Sequence, residues 1–145
     1  MNRLIPITIL SLCLCGCISE YGAPSAGVPS VPLADLLNNP AKWNKQKIRV
    51  DGFFIYELEG DAIYLTRADL EKKNSNKAVF LGLDDPALRI PYATDGIANK
   101  WRQFIVTMSL NRHRGKTASV TGFFEVMPYG GLNLGHIKVS QMTLK

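Results

Sequence analysis

The sequence predicts a mainly β chain: a five-stranded Greek-key barrel with one or two short helices, or alternatively an open α+β sandwich built from the same strands. Three observations point there. The phrase Val-x-Gly-Phe-Phe occurs twice, at Val50–Phe54 and Val120–Phe124. Each copy carries a glycine at its centre, where a strand bends, bulges or meets another chain closely. The segments run in the order three extended, one helical, two extended.

Val31 to Ala41 predicts a short helix, with Ser30 as its cap, Leu33, Leu36 and Leu37 as its apolar stripe, and Asn38-Asn39-Pro40 limiting its far end. The first strand follows over about Lys47 to Glu57. Alternation puts Val50, Gly52 and Phe54 on one face and Arg49, Asp51 and Phe53 on the other. The loop "ELEGDA" makes a tight turn into a second strand, Ala62 to Thr66, so the pair is a hairpin. Thr66-x-x-Asp69 has the form of a capping box opening one polar helical turn. Ala78 to Leu83 is a third strand, and "DDPALRIPYATDG" is irregular.

Ile97 to Met108 reads in two ways. Ile97, Trp101, Phe104, Ile105 and Met108 share one helical face, whereas "FIVTM" alone passes as a strand; the five apolar positions favour the helix. Thr117 to Met127 is the fourth strand, with Val120, Gly122 and Phe124 on one face. "PYGGLNLG" turns the chain, and His136 to Leu144 is the fifth strand. Three strands, a helix and two strands is the element order of an OB-fold barrel. The two V-x-G-F-F strands, the preceding "LADLLNNPAKWNKQKIRV" and the closing "GHIKVSQMTL" resemble small exported domains of the tRNA-anti-like OB type. The resemblance covers most of residues 31–145.

The amino-terminal residues differ in kind. A basic start at Arg3, an apolar run from Leu4 to Leu14 and the small Gly16 have the layout of a secretory signal, too short to span a bilayer as a helix. All three cysteines, Cys13, Cys15 and Cys17, lie here. Their one-residue spacing does not fit a zinc knuckle, and no cysteine follows Cys17 to make a disulfide. "LCGC" resembles the lipobox of bacterial lipoproteins. That resemblance implies a signal peptide over 1–16, cleavage before Cys17, and a diacylglycerol and an acyl chain such as palmitate on Cys17. Ile18 and Ser19 stand where Asp would hold a lipoprotein in the inner membrane, so the resemblance implies the outer membrane of a cell envelope, on its periplasmic side or beyond. Residues 17–30, the lipidated cysteine and "ISEYGAPSAGVPS", are expected to form a flexible linker. Fully extended at about 3.4 Å per residue, residues 19–30 would reach roughly 40 Å.

Residues 31–145 form one domain by length, which buries roughly 65% of its unfolded-chain surface. Loss of residues 1–16 removes only Arg3 among charged groups and lowers the net charge of +5 by one. Such a mild balance suits weak attraction to acidic polymers or headgroups.

No G-x-S-x-G elbow, H-E-x-x-H pair or Walker loop occurs, so no enzyme, catalytic residue, cofactor or metal is expected. Asp84-Asp85 before Pro86 reads as a turn start. On an OB barrel the ligand face would carry Tyr64 and Phe80, with Tyr129 in the loop between the last strands; the three could form a stacking or sugar-binding platform or pack under a helix. Arg112, Arg114 and Lys116 form a candidate basic patch for a phosphate, a headgroup or an acidic partner, or a solvated loop in which His113 is a surface residue. His136 reads as a hydrogen-bonded strand residue. Glu57, Glu59 and Asp61 repel phosphates, so nucleic acid is disfavoured. The expectation is a lipid-anchored binding or scaffold module at a membrane surface with an envelope protein or glycan as partner. The alternative is an OB-type binder of a glycan, a peptide or, less favoured, nucleic acid.

Overall fold

The computed structural model describes residues 18–57, 60–84, 88, 97–129 and 132–145, and of residues 97–103, 128, 129 and 132–134 the backbone only. Cys17 and the residues before it lie outside this set, as do Asp85, Pro86 and most of the segment up to Gly96.

Five strands close a barrel. They are β2 (Lys47–Ile55), β3 (Ala62–Tyr64), β4 (Ala78–Gly82), β5 (Thr117–Tyr129) and β6 (Leu132–Leu144). β2 pairs with β3, β3 with β4, β4 with β6, β6 with β5, and β5 returns to β2; only the β4–β6 contact is parallel. This closed Greek-key order is that of an OB-like barrel. It removes the free edges that an open sandwich would leave.

The repeated phrase sits at the heart of the closure. Val50 lies opposite Val120, and Ile48 faces Gly122 as Gly52 faces Ala118, so the two copies pair antiparallel about that valine pair. Ile48, Val50, Phe54, Val120 and Phe124 are fully or almost fully buried, with Ile63, Val79, Ile137, Val139, Met142 and Leu144 from the other strands. Burying each of these large side chains stabilises the fold by about 1.5–3 kcal/mol relative to exposure.

Gly122 marks a bend, as its position predicts. The β5–β6 register shifts between Thr121 and Gly122, with Ser140 the additional residue on β6. A Cβ at Gly122 would strike the Lys138 carbonyl and the Ile137 side chain. The bulge divides β6: below it, Phe80, Leu81 and Gly82 of β4 pair with His136, Ile137 and Lys138.

Above the bulge the same edge takes a strand that sequence reasoning missed. β1 (Ser19–Gly22) pairs antiparallel with Gln141 to Leu144. Residues 19–30 were expected as flexible linker, yet they are laid along the barrel. The Ser25 amide donates to Gln141 Oε1 at 3.1 Å, Arg49 Nη2 to the Ser25 carbonyl at 3.1 Å, and Lys47 Nζ to Ser25 Oγ at 3.2 Å. Ser30 bridges to Arg49 rather than capping a helix. Gly22 is required here: its φ is +83°, and a Cβ would strike the Ser140 carbonyl. A Gly-, Ala- and Pro-rich segment shows no apolar period, so its pairing with residues far along the chain leaves no local trace.

The expected first helix divides into α1 (Leu33–Asn38) and α2 (Pro40–Trp43), because Pro40 cannot continue the preceding turn. Leu33 and Leu36 are buried and Leu37 packs against the core, as their spacing predicts. α3 (Arg67–Glu71) opens on the predicted cap: Thr66 Oγ1 accepts from the Asp69 amide at 3.0 Å and donates to Asp69 Oδ2 at 2.5 Å. A single 3₁₀ turn, Ser75–Lys77, leads into β4. The ambiguous segment is helix, α4 (Ile97–Arg112). "PYGGLNLG" is largely strand, since β5 runs to Tyr129 and β6 starts at Leu132.

Candidate functional site

The outer face of β2, β3 and β4 is where an OB barrel would present a ligand platform. Strand pairing places Tyr64 opposite Phe53 and Ala78, and Phe80 opposite Ala62, so Tyr64 and Phe80 share one face as their alternation predicts. That face is not open. Ile55, Ala62, Tyr64, Ala78 and Leu70 of α3 form a second apolar cluster outside the barrel, with Phe53 and Phe80 packed against it. Tyr64 retains only 8% exposure. Of the two readings of Tyr64, an exposed platform or a ring packed under a helix, the structure shows the second: the ring clusters with Leu70 of the helix that the Thr66 cap starts. Phe80 is half-buried, and a Cβ on Gly60 would lie 3.5 Å from its ring. The side chain of Tyr129 lies outside the described residues.

Charged groups rim the covered face. Glu57 receives Lys73 Nζ at 3.1 Å and Arg114 Nη2 at 2.5 Å, one on each carboxylate oxygen. The acidic loop thus neutralises part of the basic loop, which sequence reasoning kept apart. Burial, reinforced by the Glu57 charge and opposed by Lys73, pushes the Tyr64 hydroxyl above its usual range. Burial also pushes the Asp61 carboxyl up to about 6, although its Oδ1 accepts from the Glu57 amide at 3.3 Å. Across β4, the His136 ring lies against Gly82, and burial holds its pKa below the ordinary histidine value. Neighbouring Glu125 pairs with Lys138 at 3.2 Å. Burial thus shifts both Asp61 and His136 towards their neutral forms, as it does for groups at the edge of an apolar surface. Sequence reasoning counted Asp61 only as a negative charge, because burial by residues distant in sequence carries no local signal.

The basic stretch divides. Arg112, Arg114 and Lys116 are exposed, as predicted. His113 is not a surface residue: it is 3% exposed, and its Nδ1 lies 2.7 Å from the Ser109 carbonyl. That nitrogen donates to a carbonyl in the last turn of α4, where orphan acceptors collect. With Val106 and Leu110 it forms the face of α4 turned to the barrel. Three other apolar residues of α4 turn outward: Phe104, Ile105 and Met108 are 55%, 62% and 41% exposed.

A polar groove of about 220 Å³ lies on the far side of the barrel, lined by Arg49, Ser119, Thr121, Gln141, Thr143 and Lys145. Arg49 is held in it by Thr121 Oγ1 at 3.3 Å and by the Ser25 carbonyl. Two cations, three hydroxyls and an amide can hydrogen-bond an anionic or hydroxyl-rich ligand. Its lining comes from the outward positions of β2, β5 and β6 and from Lys145, which strand pairing brings together from distant parts of the chain.

Among the described residues no group of three His, Cys, Asp or Glu side chains could hold a metal ion, and no helix is long and apolar enough to cross a membrane. Comparison of the chain with protein-family models, with curated proteins and with solved structures finds no match in any of the three.

Proposed function

We propose that the chain is a lipid-anchored protein of a bacterial envelope, acylated at Cys17, whose barrel is a binding or scaffold module held at the membrane surface. The lipobox-like Leu14-Cys15-Gly16-Cys17 after an apolar run supplies the anchor. The observation that carries the reading is the pairing of Ser19–Gly22 with β6. A domain built to swing free would leave its tether slack; here the tether becomes a strand two residues after Cys17. One acyl chain gives marginal membrane binding, and two or three make release slow. The residues after Cys17 favour the outer membrane over the inner. No catalytic role is assigned.

The test is Cys17→Ser in the full chain. Wild type should incorporate labelled palmitate and fractionate with membranes, and the variant should do neither as a processed protein. A Cys17→Ser chain that is still processed, acylated and membrane-bound contradicts the anchor.

The polar groove favours a second reading, an OB-type binder of an anionic glycan. Retention of the detergent-solubilised chain on an anionic polysaccharide column should then fall with salt and with Lys145→Ala. Retention indifferent to both removes this reading.

A further inference from the structure

We infer that the outer face of α4 lies on the lipid surface itself, so that the barrel rests on the membrane side-on instead of standing off from it. This rests on the anchor reading and goes beyond it. Among the described residues six large apolar side chains are exposed, and four of them, Ile18, Phe104, Ile105 and Met108, belong to α4 or to the residue preceding β1. They belong to one region. Tyr21 donates to Ser109 Oγ at 2.9 Å, and Ser19 Oγ lies 3.4 Å from the same atom. Ser109 stands one turn beyond Ile105, so the chain leaves the barrel towards Cys17 beside the exposed stripe. An acyl group on Cys17 would enter the bilayer within two residues of Ser19. The membrane would then lie next to α4 whatever else the protein binds.

Charge favours the same occupant. From Ile97 to Phe124 the sequence holds Lys100, Arg102, Arg112, Arg114 and Lys116 and no Asp or Glu, with Arg114 alone of the described cations here paired to a carboxylate from elsewhere, Glu57. Arg112 follows Met108 by one turn and is exposed. Apolar residues bordered by cations, on a helix too polar to span, are what an interfacial helix presents to anionic headgroups. α4 serves two apolar environments at once: Val106 and Leu110 face the barrel, while Phe104, Ile105 and Met108 face outward.

The cysteines make a direct test possible. If Cys17 is acylated and residues 1–16 are removed, an introduced cysteine is the only free thiol. Full chains carrying Ile105→Cys, Met108→Cys or, near α3, Asn76→Cys are labelled with an environment-sensitive fluorophore and reconstituted in phosphatidylethanolamine–phosphatidylglycerol vesicles. Nitroxide-bearing acyl chains should quench positions 105 and 108 by about twofold or more and leave position 76 unchanged, as expected for side chains at the headgroup–acyl boundary. Labels at 105 and 108 that escape quenching in protein that floats with the vesicles overturn the inference and leave the anchor standing. Labels that are shielded from water but not quenched mean that a protein surface covers α4, and they overturn it equally. The mass of the amino-terminal peptide reads the anchor separately. An unacylated chain that neither floats nor shows quenching ends both proposals.

Discussion

The aromatic face of β3 and β4 and the outer face of α4 are both apolar, yet among the described residues a helix packs over only the first. Over Tyr64, the capped turn at Thr66 brings Leu70 down onto the sheet, and the surface becomes a small second core. Among the described residues no such element packs over Ile105 and Met108, which with Phe104 remain between 41% and 62% exposed. The difference separates two uses of apolar surface. One contributes to folding. The other can be left open where something outside the chain receives it, and on the proposed anchor at Cys17 the tether would place lipid beside it.

Removing the cover should have the largest effect. Leu70→Ala is expected to destabilise the domain by about 2–3 kcal/mol, the lower part of the range for a buried leucine because Leu70 sits at the edge of its cluster. Urea unfolding checks this, with increased binding of an apolar dye as the sign that Tyr64 has been uncovered. Next is the cap: Thr66→Ala should cost about 1 kcal/mol, with Thr66→Ser recovering most of it. A loss near zero would mean that α3 covers the sheet without needing its cap.

Asp61 beside the covered face gives a pH signature. Its folded pKa of about 6 lies above the ordinary 3.8, so the folded state binds the proton more tightly than the unfolded state. Stability from this group is therefore full below pH 3.8 and is lost as pH rises to about 6. Partial exposure keeps the effect on the order of 1 kcal/mol or less. Asp61→Asn should flatten the difference in unfolding free energy between pH 4 and pH 7; an unchanged slope would show that the carboxyl is solvated. The smallest effect belongs to α4: Ile105→Ser should alter stability in solution by less than about 0.5 kcal/mol. A loss as large as that from Leu70→Ala would abolish the contrast.

Much of the barrel was legible because its strands alternate. Val50, Phe54, Val120 and Phe124 point inward as their period requires, and Gly122 marks the bulge. The helix at residues 97–112 was legible from its apolar spacing, but spacing shows that a face is apolar and not which surface meets it. Three other features escaped for the same reason. β1 pairs with residues more than a hundred positions away. His113 is buried among charged neighbours that suggest a surface loop. Leu70 is a single apolar residue in a turn that reads as polar. Each depends on a distant partner, and local pattern does not encode the partner.

The central claim is that the barrel rests against the membrane with no stand-off, and the height of the protein above a supported bilayer tests it most directly. Neutron reflectometry on the acylated full chain should place protein density continuous with the headgroup layer. A water-filled layer of roughly 20 Å or more between headgroups and protein, within reach of residues 19–30 if they were extended, would contradict the account by showing that β1 has left the barrel and that α4 faces water.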